Sequence, residues 1–382
     1  MFDALVARGV VHKGARLPSL TGMRFIAAVL VFFHHVIWLN VFSDPGTAEV
    51  YRKYFINAGH VGVSFFFVLS GFILTVSARD NDGLGRFYRR RFFKIYPNHL
   101  VTFFLALFVI AGAGSTGLLA NLFLVQAWVP DYGVIFSVDP PSWSLSCEVL
   151  FYLAFPFLLR LIRKIDPDHL WYWVGGVLVA IVGVAVVVGA VVPGTPIMPD
   201  GQPVSMTQFW LVYVLPPVRA LDFLLGMLIG LLVLNGKWVG LRLAPAAVLF
   251  VVVYVLSPEV PYLFGLNAVT IVPIALLVPA AALADVNGQK SWLRGRTAVF
   301  LGEVSFAFYL VHVLVMIGAR PLFGATSLFS GPVAFLVIVA NLIATVAAAW
   351  LLYTVVEKPA MRLFSSPRKQ AITPVPALQG EK

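Results

Sequence analysis

Residues Leu20–Val41 read LTGMRFIAAVLVFFHHVIWLNV. The stretch is long and apolar enough to cross a bilayer, for which about 20 residues suffice. Yet it carries Arg24, His34 and His35. Arg24 and His35 stand eleven residues apart. At ~100° per residue that is three turns plus ~20°, so both side chains share one helix face, ~16 Å apart along the axis. His34 points ~80° away. A cation near one membrane surface and an imidazole deeper in, on one stripe, mark a face that looks into a cavity rather than into lipid.

The composition extends this reading to the whole chain. Of 382 residues, 60% are hydrophobic and 12% charged, and the mean hydropathy is +0.91. Soluble domains carry roughly 25% charged residues. The chain therefore reads as an all-α polytopic membrane protein. The net charge of +10 does not indicate nucleic acid, because the basic residues sit in short loops between apolar spans. The single cysteine, Cys147, excludes an intramolecular disulfide framework and a multi-cysteine zinc site. No cleavable signal and no soluble catalytic domain are read in these residues. Any chemistry is expected in or at the membrane.

Ten transmembrane helices are expected, over roughly 20–41, 59–77, 97–114, 145–159, 170–192, 208–234, 243–257, 267–284, 298–319 and 331–356. An open backbone cannot face lipid, so all are helical. Gly117–Trp128 is apolar but short, and reads as re-entrant or interfacial. Alternate loops hold 22 of the 27 Lys and Arg residues, which places both termini in the cytoplasm. The chain divides into a cytoplasmic lead (1–19), a transmembrane domain (20–357) and a cytoplasmic tail (358–382), disordered from Ser365 onward.

Three groups of residues are candidates for chemistry. His35, Glu148 and His312 fall at comparable depth, within roughly one or two turns. A carboxylate beside an imidazole would orient it and raise its basicity, so that it could take a proton from a hydroxyl. His35 and His312 could equally be helix–helix hydrogen-bonding residues, and His34 reads as structural or headgroup-facing. The basic run GRFYRRRFFKIYP (Gly85–Pro97) is either a membrane anchor or an anion site. Arg219 and Asp222, three residues apart, read as a mutually neutralising pair. Glu303 and Glu357 read as helix-end residues. Gly59, Gly62 and Gly71 allow close helix approach or leave room for a ligand.

These motifs, taken in order, resemble the membrane-bound acyltransferase-3 family over nearly the whole chain. The carriers are Arg24 with His35; Gly62–Phe72 (GVSFFFVLSGF); Arg90 and Arg91 followed by Lys94-Ile95-Tyr96-Pro97; Trp143–Tyr152 (WSLSCEVLFY); and Tyr309–His312 (YLVH). Lys94 stands where the family more often has Arg. The resemblance implies an O-acyltransferase that moves an acyl group, acetyl first of all, from acyl-CoA to a hydroxyl of a carbohydrate, glycolipid or macrolide. It is similar in look to the macrolide branch. On this reading His35 is the base, with Glu148 orienting it. Arg24, Arg90, Arg91, Lys94 and Tyr96 hold acyl-CoA, and Trp143, Ser146, Tyr309 and His312 face the acceptor. Acyl-CoA (acetyl-CoA), the hydroxyl-bearing acceptor and the lipid bilayer are the expected partners. No metal and no nucleic acid are expected, and a homo-oligomer is left open. The location implied is the cytoplasmic membrane. The competing readings are a transporter, whose proton relays use the same residue types, and a scaffold without chemistry.

Overall fold

The computed structural model describes residues 16–79, 82–110, 116–324 and 327–365. The parts of the lead and tail beyond them, with Arg8, Lys13, Arg368, Lys369 and Lys382, lie outside the described residues.

The chain runs as α1 (Pro18–Leu39), α2 (Pro45–Phe55), α3 (Ala58–Val76), α4 (Leu84–Val109), α5 (Trp143–Ile162), α6 (Leu170–Val191), α7 (Pro216–Leu234), α8 (Leu243–Leu256), α9 (Ile271–Val286), α10 (Arg296–Ala319), α11 (Gly331–Leu352) and α12 (Lys358–Ser365). Short helical turns fill several of the connections. The described residues contain only isolated bridges, Phe42 with Phe329 and Ile197 with Ser205, and no strand. Eight helical stretches are long and apolar enough to cross a membrane, and α8 and α9 are shorter apolar helices. Together they account for the ten expected spans. The protein is a polytopic, all-α membrane protein.

One boundary differs in kind from the sequence expectation. Pro97 was expected to open the third span after a basic loop. Instead α4 runs unbroken through Pro97, so Arg86–Lys94 are helical. A proline removes one backbone donor, but neighbouring helices in a bundle re-satisfy the freed carbonyl. The basic residues therefore stand on a fixed scaffold. Gly117–Trp128 forms a five-residue helix and a 3-10 turn, whose Asn121 and Gln126 are fully buried. At the other end, α12 packs on α4 through stacked Phe93 and Phe364 rings, 4.3 Å apart.

The core of the bundle is α3, buried along nearly its whole length. It crosses α7 where two glycines face each other's backbone. A Cβ on Gly71 would collide with the Phe223 carbonyl, and one on Gly226 with the Val68 carbonyl. Gly62 admits the Ala27 carbonyl of α1 in the same way. This is the small-residue contact that lets helices associate where no hydrophobic effect distinguishes protein from lipid.

The α3–α7 contact also holds the expected ion pair. Arg219 and Asp222 are 2.6 Å apart and both fully buried. Arg219 Nη2 donates to Ser64 Oγ of α3 at 2.8 Å, Ser64 Oγ donates to Asn267 Oδ1 at 3.0 Å, and Asn267 Nδ2 donates to Asp222 Oδ1 at 2.9 Å. A buried charge left without its partner costs about 3–5 kcal/mol, whereas removing both charges together often costs little. We expect Asp222→Ala to destabilise the protein by that amount and Arg219→Met/Asp222→Leu by less. Thermal unfolding of the detergent-solubilised variants reads both, and equal losses would overturn the network's role.

Candidate active site

Three cavities lie in file through the bundle. At the end where the basic loops gather is a cleft of about 630 Å³, into which Arg79, Arg90, Arg91, Arg160 and Arg163 project. Leu74 and Arg91 also line a second, inner cavity of about 170 Å³, which holds Arg24, Lys94, Glu148 and Tyr152. Val63 and Tyr309 in turn separate this from a third, outer cavity of about 40 Å³, lined by His34, His35 and His60 with Trp143 and Tyr213. The single face of α1 predicted from the Arg24–His35 spacing thus serves two chambers, Arg24 the inner and His35 the outer.

The expected partner of His35 is corrected. No hydrogen bond joins it to Glu148 among the described residues. The sequence put the two at comparable depth, but Glu148 lines the inner cavity with Arg24 and His35 lines the outer one, with Tyr309 on the boundary of both. His35 packs instead on His312, with ring centroids 4.8 Å apart. His35 Nδ1 lies 2.8 Å from the Val31 carbonyl and 3.1 Å from His312 Nε2. A carbonyl can only accept, so His35 Nδ1 carries a proton, and in the neutral ring Nε2 keeps its lone pair. His312 Nδ1 lies 2.6 Å from the Tyr309 carbonyl, which by the same logic leaves His312 Nε2 as an acceptor. The two contacts hold His35 in one tautomer and one orientation, and both strengthen if His35 becomes a cation.

In the inner cavity Tyr152 donates to Glu148 Oε2 at 2.9 Å. The cations of this cavity and of the cleft beside it are not equivalent. Lys94 pairs with Glu357, which also accepts from Asn98 at 2.7 Å. Glu357 is therefore a buried partner of α4. Arg90 is clamped by Asp82, with Nη1 donating to Oδ1 at 3.0 Å. Arg24 and Arg91 have no carboxylate within ion-pair distance among the described residues. Arg91 lies between the rings of Phe87 and Tyr152, 5.8 and 5.6 Å from their centroids, a cation–π arrangement that leaves its donors free.

The other expected site residues divide. Trp143 lines the outer cavity. Tyr309 borders both chambers, donating to the Pro141 carbonyl at 3.0 Å with Ser144 Oγ 2.9 Å away. Ser146 is buried elsewhere, its hydroxyl without a partner. Tyr96 donates to the Leu122 carbonyl at 3.2 Å and lines none of the three cavities. His34 donates to the Ile56 carbonyl at 2.8 Å and packs against Gly59, the structural role expected of it. Sequence reasoning passed over Ser144, Tyr152, His60 and the cleft arginines 79, 160 and 163. Arg160 and Arg163 were counted only as inside charges, although they end α5, the helix that carries Glu148. Among the described residues no group of three or more His, Cys, Asp or Glu is arranged to hold a metal ion.

Comparison with known proteins bears on this arrangement. The acyltransferase-3 family model, described as an acyltransferase domain, matches residues 17–354. The chain is 41% identical to Acyltransferase MdmB of Streptomyces mycarofaciens, over 95% of this chain and 96% of that protein. It is 28% identical to the exopolysaccharide production protein ExoZ of Rhizobium meliloti (strain 1021), over 80% of this chain and 90% of that one. The putative peptidoglycan O-acetyltransferase YrhL of Bacillus subtilis (strain 168) is 24% identical, over 90% of this chain and 54% of its own length. No solved structure matches. With the family model covering nearly the whole transmembrane bundle, the chain belongs to the acyltransferase-3 family and is a membrane O-acyltransferase.

Proposed function

We propose that the enzyme takes an acyl group, acetyl first of all, from acyl-CoA at the basic end and passes it to a hydroxyl of a sugar, glycolipid or macrolide in the outer cavity. The observation that carries this reading is the file of three cavities, basic cleft to inner chamber to histidine chamber, the first two sharing Leu74 and Arg91 in their walls and the last two Val63 and Tyr309. By the positive-inside bias the basic end faces the cytoplasm, and the membrane is the cytoplasmic one.

On this proposal the nucleotide phosphates lie in the cleft against Arg79, Arg91 and Arg160. The pantetheine arm runs into the inner cavity past Arg24, where Glu148, held by Tyr152, accepts from an amide of the arm. His35 Nε2 takes the acceptor's hydroxyl proton as its oxygen attacks the thioester carbon. The Tyr309 hydroxyl, at the boundary of both chambers, turns its one proton from the Pro141 carbonyl to the developing oxyanion. As the C–O bond forms the C–S bond breaks, and the CoA sulfur leaves with the proton from His35. The ester and free CoA thiol result.

Thiol release from acetyl-CoA, with the acceptor's mass shift, tests the reading. We expect His35→Ala to lower kcat by about 10²–10⁴-fold, the usual worth of a general base, with acetyl-CoA binding retained. Undiminished turnover would exclude His35 as the base. Saturable solute binding without thiol release would favour a transporter. His312→Ala should lower kcat by about 10- to 100-fold, the worth of one hydrogen bond to a charged group. The double variant should be no slower than His35→Ala alone, because His312 acts only through His35. For the donor, Arg91→Ala and Arg160→Ala should each raise the Kd for acetyl-CoA about tenfold, and wild-type binding should weaken with salt. Unchanged, salt-independent binding would remove the cleft from the donor site.

A further inference from the structure

The open rim of the outer cavity has a chemistry that the transfer reaction itself does not call for. Its partly exposed wall consists of Trp38, Phe136 and Tyr262 and one carboxylate, Asp200. Trp38 is 42% exposed and stands in edge contact with His35, 4.5 Å between centroids, so this rim lies directly beside the proposed base. Asp200 Oδ1 accepts a long hydrogen bond, 3.3 Å, from the Gln202 backbone. Asp200 makes no ion pair among the described residues. Arg52 of α2 is within electrostatic range but is exposed, where solvent screens it. An unpaired carboxylate among three aromatic rings is the arrangement that takes a cation: the carboxylate supplies the countercharge, and the ring faces supply the quadrupole.

We infer that the acceptor carries a protonated amine near its reacting hydroxyl, as an amino sugar does, and that Asp200 with Trp38, Phe136 and Tyr262 holds this amine while the hydroxyl reaches His35. The inference rests on the proposed function and narrows its acceptor class. A neutral polyol can give the carboxylate hydroxyl hydrogen bonds but no countercharge. A cationic acceptor gains both the ion pair and the ring contacts. Asp200 is then a specificity residue, remote from the thioester.

The test uses two matched pairs of acceptors with acetyl-CoA. One pair is a macrolide bearing a dimethylamino sugar and its analogue with a hydroxyl in place of the nitrogen. The other is methyl glucosaminide and methyl glucoside. The readout is the ratio of kcat/KM for the cationic over the neutral member, in wild type, Asp200→Asn and Asp200→Glu. We expect wild type to favour the cationic member of at least one pair by tenfold or more. The ratio should fall at least fivefold in Asp200→Asn and be kept largely by Asp200→Glu. A ratio near one in wild type, or the same ratio in Asp200→Asn, would overturn the inference while leaving the acyltransferase reading intact. No thiol release with any acceptor would overturn that reading, and the inference with it. Because each ratio is internal to one variant, partial misfolding lowers both rates and leaves the ratio as it was.

Discussion

The structure depends on a fully buried arginine. Arg219 sits at the crossing of α3 and α7 and is neutralised by Asp222 on its own helix. Through Ser64 and Asn267 it ties α7 to α3 and to the segment leading into α9. Its guanidinium also lies 5.2 Å from the Phe67 ring and 4.8 Å from the Tyr213 ring. Phe67 lines the inner cavity and Tyr213 the outer one. One charge that never meets solvent therefore supports a wall of each chamber. In a bundle surrounded by lipid, where apolar contact alone gives little specificity, such a network fixes which helices meet and in what register.

The cations that look alike in sequence divide into two kinds. Lys94 and Arg90 are each matched to a carboxylate, Glu357 and Asp82, and their charge is spent within the fold. Arg24 and Arg91 are not matched and line the inner cavity. The inner chamber thus offers positive charge along its wall, while the outer chamber offers imidazoles and aromatic faces, with the Asp200 carboxylate at its rim. The passage between them changes from a place suited to anions to one suited to proton transfer, with Tyr309 at the step.

Much of this was legible beforehand, and the failures share one cause. Hydropathy located the ten spans. Helical periodicity placed Arg24 and His35 on one interior face, and charge pairing at i, i+3 read Arg219–Asp222. What remained hidden was which side chains share a chamber. Glu148 and His35 were placed at one depth, but they line successive chambers with Tyr309 between them. Lys94 and Glu357 are 263 residues apart in sequence, so nothing local announces their pairing, and Glu357 passed for a helix end. Tyr96 lies on the motif-bearing helix, but its hydroxyl turns to the Leu122 carbonyl. The third span was set to begin at Pro97, whereas α4 starts at Leu84 and continues through it. The histidine pair was half visible: depth brought His312 level with His35, and only the bundle showed that they touch.

The spacing of Arg24 and His35 on α1 has one more consequence. With the roles proposed for Arg24 and His35, the rigid helix that holds them ~16 Å apart is a ruler. A donor anchored at or beyond Arg24 delivers its acyl carbon to His35 only if a long, slender, flexible arm joins its charged end to its reactive end. Compact acyl donors, such as acyl phosphates, cannot hold one mark and reach the other. On the proposed reading, selection of the donor is therefore a matter of length as much as of charge, set by the number of helical turns between two side chains.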